Sequence, residues 1–515
     1  MFAYITRRLG MMLLIVFGAS FMAYNLEALS SNPLAVFAES TARNKAYLMH
    51  RMIVELHLDV PPPVRYFIWL KGIVSGLWGH LDLGMTRDNV PVVDAIGLAI
   101  PTTFRLVIGS TILAIVLGIT IGMVTAIRQY SRFDYVMTFI SFLLFSLPIF
   151  WVAVLLKQYM AIDFNNFLVN PVIPISSVLI VGLIAGLVMA SILGGTRQRF
   201  WKNFGITAVL AAALTEYISL TKWFINPGLG MVGVGIIAFA IAILVTQVST
   251  GLDNRKSLLA ALSAAAIVTV GYYPLQLVMG PKSNWLAIVA VIAIVALLSA
   301  VVGYYVENID RKINIRTAVI TAVLGGLPLV LDRFMQEFNK YLYSDAINGR
   351  AVPTLGQAND LLTPQQLNSF WISGLDAVMH LILPTLALTL ISFAGYVRFS
   401  RGSLLEVLNM DYIRTARAKG LTERTVIVRH GMRNALLPLT TILVNDFAGV
   451  LGGAIITERV FGWKGMGQLF NQALNNYDLN LFMGVFMITS ILTVLANLVA
   501  DLLFGVVDPR IRIRK

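Results

Sequence analysis

Long apolar runs separated by short charged segments dominate the pattern of this chain. Twelve runs are long enough to cross about 30 Å of hydrocarbon at a rise of about 1.5 Å per residue. They cover residues 9–26, 105–127, 135–157, 171–194, 204–220, 227–249, 257–279, 285–306, 317–332, 379–397, 437–456 and 481–505. The pattern predicts an all-α polytopic membrane protein.

The positions of the basic residues favour one orientation of these spans. With a cytoplasmic N-terminus, most of the 39 Lys and Arg residues fall in the short connections on that side. Because cytoplasmic loops are enriched in Lys and Arg, we expect both termini in the cytoplasm. Two longer segments, residues 27–103 and about 333–376, are then expected on the outer face.

Two of the predicted spans are weaker than the rest. The run 204–220 contains Glu216, and the run 317–332 is interrupted by Gly325, Gly326 and Pro328. Losing only one of them would invert every later span and place the basic segment after residue 397 outside the cell. The two spans must therefore be kept or lost together.

The composition supports a membrane protein and excludes several kinds of site. Hydrophobic residues make up 57% of the chain and charged residues 13%, with a mean hydropathy of +0.78, whereas soluble domains are about a quarter charged. Without Cys there is no disulfide and no thiolate ligand. The five His are scattered, so a metal site is not expected. The net charge of +13 is explained by the basic cytoplasmic loops, not by nucleic-acid binding.

The segment from Asp411 to Pro438 has the pattern of a charged helix-turn-helix between two membrane spans. Helix-forming residues run from 398 to 419, Gly420 is a natural stop, and Thr422 predicts the N-cap of a second helix that reaches Leu437. Ala416, Ala418 and Gly420 offer small surfaces for another protein's backbone. The basic residues in or beside the segment are Arg398, Arg401, Arg414, Arg417, Lys419, Arg424, Arg429 and Arg433.

Motifs for catalysis are missing from the sequence. There is no G-x-x-x-x-G-K-[ST] phosphate loop, no G-x-S-x-G, no H-E-x-x-H and no paired carboxylates. We therefore expect a non-catalytic chain that binds no cofactor or metal, and whose energy comes from another protein.

These residues resemble a known family, the permease subunits of binding-protein-dependent ABC importers in the dipeptide, oligopeptide and nickel branch. The sequence T-A-R-A-K-G that ends at Gly420 is similar to the E-A-A-x-x-x-G signature, with Arg414 in place of its acidic residue. R-N-A-L-L-P, which ends at Pro438, continues the likeness, as do Asp82-Leu83-Gly84, Gly465-Met466-Gly467 and the segment from Asp508 to Arg512.

The resemblance implies a division of the chain. Residues 1–157 would be the N-terminal part of a type I permease core, with three spans and the outer segment 27–103. Residues 376–515 would be the C-terminal part, with the coupling loop 398–437. The family core has six spans, so residues 158–375 would be an insertion of about six further spans and an outer loop, and an even number preserves the orientation of all later spans. The role of the insertion is left open between a peripheral lipid-facing bundle and a docking or regulatory region.

The resemblance also implies partners and site residues. The partners would be a second homologous permease, two ABC ATPases or one fused ATPase that bind ATP and Mg²⁺, an extracytoplasmic substrate-binding protein and membrane lipid, in a bacterial plasma membrane. The coupling helix would comprise Asp411, Arg414, Thr415, Ala416, Arg417, Ala418, Lys419, Gly420 and Leu421. Asn445 and Asp446 would lie in the pathway or at the permease interface, because intramembrane polar groups need a cavity or a partner.

Alternatives remain at this point. Peptides are the favoured cargo, but nickel or another small solute fits a similar permease. A self-sufficient secondary transporter would require two related six-span halves and buried coupling charges, and the sequence shows neither. A membrane scaffold or receptor would leave the helix-turn-helix unexplained.

Overall fold

A computed structural model describes residues 2–30, 32–34, 45–280, 283–306, 311–436, 438–439, 442 and 454–507. Within those ranges the chain is helical, with no β-strand beyond one isolated bridge between Met85 and Pro91. The described residues divide into two compact units. The first contains residues 1–157, 355–357 and 381–515, and the second contains residues 158–354 and 358–380. The prediction of an all-α membrane protein is confirmed.

The first unit begins with six helices. They are α1 (Phe2–Ser30), α2 (Lys45–Glu55), α3 (Pro62–Ser75), α4 (Val92–Ile127), α5 (Arg132–Ser146) and α6 (Ile149–Leu156). α3 packs on α1, where the ring of Tyr66 lies 5.6 Å from that of Tyr24. Ser131 caps α5 by accepting a hydrogen bond from the Asp134 backbone N–H. The chain bends by 103° between α5 and α6, at Pro148, which cannot continue the preceding helix.

The second unit is formed by nine helices and the start of a tenth. They are α7 (Phe164–Val169), α8 (Ile175–Leu193), α9 (Arg197–Leu220), α10 (Gly230–Ser249), α11 (Arg255–Val270), α12 (Tyr272–Val278), α13 (Trp285–Val306), α14 (Arg311–Leu342) and α15 (Pro364–Leu367). Alanines fill the centre of the bundle formed by α10, α11, α13 and α14, and Ala238, Ala261 and Ala322 are fully buried. Such small side chains let helices approach closely, which drives helix association in lipid.

Asp332 on α14 lies at the centre of a buried hydrogen-bond network in the second unit. Its Oδ1 accepts from the backbone N–H groups of Leu229 (2.5 Å) and Gly230 (3.1 Å), at the start of α10. Its Oδ2 accepts from the Tyr272 hydroxyl (2.5 Å) and the Gln336 amide (2.9 Å). The positive end of a helix dipole and neutral donors stabilise this carboxylate.

The sequence shows no buried coupling charges, but the structure buries several carboxylates in this unit. Besides Asp332, the unit buries Glu337, which pairs with Arg333 at 2.8 Å. It also buries Asp376, which accepts hydrogen bonds from the Tyr341 hydroxyl (3.2 Å) and the Asn359 backbone N–H (3.0 Å). The sequence pattern does not reveal Asp332 and Asp376 because most of their partners are distant in the chain or are backbone atoms. Glu337 differs, because its partner Arg333 lies one turn away on the same helix.

The chain returns to the first unit within α16 (Phe370–Leu408). The remaining helices are α17 (Asp411–Ala418), α18 (Glu423–Thr425), α19 (Ile455–Phe461), α20 (Met466–Asn475) and α21 (Leu479–Val507). α20 and α21 pack with α1, α3 and the start of α4 around one apolar core that contains Tyr66, Ile96, Met466 and Met483. This core joins the two ends of the chain.

The predicted spans agree with the helices. Among the described residues, nine helices are long and apolar enough to cross a membrane, or eleven if each of two bent pairs is one span. They coincide with eleven of the twelve predicted runs, including the two weaker ones. The twelfth, 437–456, lies mostly outside the described residues, so the count of twelve stays a prediction. α4 begins at Val92 and passes through Pro101, which extends it 13 residues before the predicted start at 105.

Two glycines on α4 bring its backbone against that of α16. A Cβ on Gly118 would lie 3.2 Å from the Phe393 carbonyl oxygen, and one on Gly122 would lie 2.6 Å from the Val397 carbonyl oxygen and would clash with the Ser400 hydroxyl. Ser400 donates to the Gly118 carbonyl at 3.2 Å. The two helices are thus in backbone contact along one turn.

We predict that Gly122→Leu destabilises the first unit by about 1–3 kcal/mol, because the added side chain must push α4 away from α16. The measurement is the thermal unfolding midpoint of the purified full chain in detergent. Gly109→Leu is the matched control, since a Cβ at Gly109 on the same helix meets nothing within 4 Å. Equal effects of the two substitutions would contradict this account of the packing.

Candidate functional site

The helix that leads into the predicted coupling segment is interrupted. α16 ends at Leu408, Met410 adopts an extended conformation, and α17 begins at Asp411. The prediction of one continuous helix over 398–419 is wrong at this point. Asn409, a poor helix former, donates from its side chain to the Leu405 carbonyl at 3.0 Å, and Asp411 provides the negative charge that favours a new helix start.

α17 has one buried face. Ile413 is fully buried and packs with Val426 and Leu408 in a small apolar cluster. Ala416 belongs to this cluster and is 7% exposed, so it faces the interior of the hairpin and is not the open surface that the sequence predicts. Ala418 is exposed. The cluster holds α17 against the segment after the turn, forming a hairpin over residues 411–436.

The turn of the hairpin has the predicted caps. Gly420 has a φ of +76°, a left-handed conformation that glycine adopts without strain. The Thr422 hydroxyl accepts a hydrogen bond from the Thr425 backbone N–H at 3.4 Å. After α18 the chain forms a π-helical stretch, Val426–Met432, where the sequence predicts regular α-helix. Helical structure extends to residue 436, and Leu437 lies outside the described residues.

Charged side chains cover the exposed face of the hairpin. Arg417 donates to both carboxylate oxygens of Glu423, at 3.2 and 2.7 Å, and Arg414 lies 3.6 Å from Asp411. The hydrogen bond from Arg417 holds the pKa of Glu423 below its usual value. The pair therefore persists at neutral pH and is lost as the pH falls through that lowered pKa. Lys419 is exposed at the tip.

The base of the hairpin is packed on the membrane helices. Met123 and Ala126 at the end of α4 form a cluster with Leu404 on α16 and Ala435 on the second arm. The Ser403 hydroxyl donates to the Ala435 carbonyl at 2.8 Å. The second arm of the hairpin is thus fixed to the ends of α4 and α16, and the first arm packs on Val407 and Leu408 at the end of α16.

Arg401 makes an ion pair that sequence reasoning missed. Its Nε lies 2.9 Å from Asp134 Oδ1 and its Nη2 lies 3.0 Å from Asp134 Oδ2, at the start of α5. Asp134 is almost completely buried, with 3% exposure. A solitary acidic residue at the border of a predicted span is a signal that it has a cationic partner. The pair joins α5 to α16 about two turns before the end of α16.

Near the other end of α4, a second buried carboxylate on α19 joins this helix to α4 and α20. Glu458 accepts hydrogen bonds from the Thr103 hydroxyl (2.6 Å) and the Gln468 backbone N–H (2.9 Å). Burial raises the pKa of Glu458, although these donors oppose the shift. A Cβ on Gly467 would lie 2.6 Å from the Ile455 Cα, so Gly467 permits the close approach of α20 to α19.

Asn445 and Asp446, the predicted intramembrane polar residues, lie outside the described residues. The coupling residues Asp411 to Leu421 are all described. The structure brings them together on one hairpin whose exposed face is largely charged.

The C-terminal part of the chain is similar to a known family. Residues 323–513 match the family of binding-protein-dependent transport system inner membrane components. Over 151 residues the chain is 38% identical to the oligopeptide transport system permease protein OppB of Mycobacterium tuberculosis, covering 29% of this chain and 46% of that protein. It is 48% identical over 141 residues to the dipeptide transport system permease protein DppB of Escherichia coli K12, covering 27% and 42%.

A longer match is found in Bacillus subtilis. Its dipeptide transport system permease protein DppB is 35% identical over 205 residues, covering 39% of this chain and 66% of that protein. In the matches to OppB and to the E. coli DppB, the chain spans less than half the length of the relative. Through residues 323–513, which include the whole hairpin and α17, the chain belongs to the family of binding-protein-dependent transport system inner membrane components.

Proposed function

We propose that this chain is the membrane permease subunit of an ATP-driven, binding-protein-dependent importer that carries peptides. The observation that carries the proposal is the hairpin 411–436, a braced pair of short helical segments with a charged outer face at the end of α16. The relatives named above are permeases of oligopeptide and dipeptide transport systems, which supports peptides as the cargo.

The proposed assembly needs several partners. A second permease would complete the pathway, two ATPase subunits or one fused ATPase would bind ATP and Mg²⁺, and a substrate-binding protein would deliver the peptide on the outer side. This chain would itself be non-catalytic, with both termini in the cytoplasm of a bacterial cell. The basic connections between spans support that orientation.

In the proposed mechanism, Asp411 to Leu421 sits in a groove of the ATPase. Ile413 and Ala416 hold the hairpin together from inside, which leaves Arg414, Thr415 and Lys419 exposed for the partner. Closure of the ATPases on nucleotide then moves the hairpin as one body.

The movement reaches the membrane through α16. The Gly122 contact links α16 to α4, and the Asp134–Arg401 pair links it to α5. Such packed elements transmit a displacement with little deformation, so three spans would respond together and open the pathway to the other side.

We predict that Lys419→Glu reduces peptide uptake at least about tenfold while the complex still assembles, because a reversed charge at an interface is repelled by the partner. Uptake and ATP hydrolysis are measured in vesicles that contain the full importer. Lys256→Glu, at another exposed lysine expected on the cytoplasmic side, is the matched control. Normal uptake by Lys419→Glu would refute the docking role.

The Arg417–Glu423 pair provides a control for hairpin stability. Arg417→Glu alone breaks the pair, and the exchange Arg417→Glu with Glu423→Arg restores it with reversed charges. If the exchange restores uptake, Arg417 acts only within the hairpin. If uptake stays low, the charge of Arg417 itself contacts the ATPase.

We further predict that Asp134→Asn lowers both stability and coupling. Loss of the charged bidentate pair with Arg401 lowers the free energy of unfolding by about 2 kcal/mol. Without the pair, α5 no longer moves together with α16. A double-mutant cycle with Arg401→Gln measures the coupling energy, and Arg401→Lys tests the need for the planar guanidinium. A coupling energy near zero would contradict the link.

The proposed role of Asn445 and Asp446 has its own test. Asp446 would attract the amine of a passing peptide or pair at the permease interface. If Asp446 lies in the pathway, Asp446→Ala should reduce uptake while the second permease stays in the purified complex. Unchanged uptake in an intact complex would exclude the pathway role, and loss of the second permease would indicate the interface.

A further inference from the structure

A cleft between α5 and α16 combines an apolar wall with positive charge. Its volume is about 230 Å³, and Phe142, Phe145, Ala394 and Val397 form its apolar wall. Phe142 and Phe145 are also exposed on the outside of the unit. The cleft is thus a slot in the surface that the spans present to their surroundings.

The positive charge comes from Arg398, at the edge of the cleft. Its guanidinium lies over the ring of Phe145, at 4.4 Å from the centroid, and 5.3 Å from that of Phe399. Among the described residues Arg398 has no carboxylate partner, whereas Arg401 beside it is paired with Asp134. Aromatic faces orient a guanidinium without neutralising it. Within the described part of the chain, Arg398 therefore offers an uncompensated cation with donors for an anion.

The position of Arg398 in the chain indicates the depth of the cleft in the membrane. Arg398 directly follows the predicted span 379–397, which places it at the cytoplasmic border of the membrane in the proposed orientation. The phosphates of anionic lipids lie at this level, and the cytoplasmic surface attracts basic groups. The apolar slot beside Arg398 continues along Val397 and Ala394 into the span.

We propose that this cleft binds an anionic phospholipid, with the phosphate on Arg398 and an acyl chain in the slot lined by Phe142, Ala394 and Val397. Charge complementarity and the apolar wall together favour a lipid. A free phosphate would bind Arg398 but would leave the apolar slot empty. An apolar helix of another protein would bury the charge of Arg398 without a partner, which costs several kcal/mol. The site is independent of the proposed coupling function.

The test uses the full-length chain in detergent, with bound lipid counted by native mass spectrometry. Phosphatidylglycerol and phosphatidylcholine with identical acyl chains are titrated separately. We expect wild type to retain phosphatidylglycerol at least about fivefold more strongly, as one interfacial cation provides. Arg398→Gln should abolish that preference, and Arg398→Lys should preserve most of it.

Arg316→Gln is the matched control, because Arg316 is an exposed arginine expected on the same side of the membrane, and it should leave the preference unchanged. Equal retention of the two lipids by wild type would overturn the proposal. Displacement of phosphatidylglycerol by millimolar inorganic phosphate would overturn it in favour of a free-anion site. An undiminished preference in Arg398→Gln would also overturn it.

Discussion

The contact between α4 and α16 is the constraint on which the first unit depends. Gly118 and Gly122 allow two helix backbones to touch, and the Ser400 hydroxyl lies in the space that any side chain at Gly122 would need. Since lipid provides no hydrophobic force between helices, such close packing is the main source of their association. It sets the position of α16, and through α16 it sets the position of the hairpin and of the cleft beside Arg398.

The hairpin itself combines internal stability with an exposed charged face. Ile413, Ala416 and Val426 are buried in its interior, and Arg417 is hydrogen-bonded to Glu423. The groups left for a partner are therefore fewer than the sequence suggests. They are concentrated on one side of α17 and at its tip.

Much of this architecture can be predicted from the sequence because it depends on local rules. Apolar run length located eleven helical segments, and the chemistry of glycine and threonine located the turn at Gly420 and the cap at Thr422. The break at Asn409 and the π-helical stretch after α18 were missed, since several weak preferences compete there. The Asp134–Arg401 pair was missed for a different reason: its members are 267 residues apart, and only the folded chain brings them together.

In the second unit, neutral hydrogen-bond donors stabilise the buried carboxylate of Asp332. Asp332 joins the start of α10, the hydroxyl at the start of α12 and an amide on α14, and each of these donors is electrically neutral. A network of this kind contains no ion pair for dissolved ions to screen. The junction of these three helices should consequently hold equally well in dilute and in concentrated salt, whereas the Arg417–Glu423 pair on the hairpin weakens as ionic strength rises.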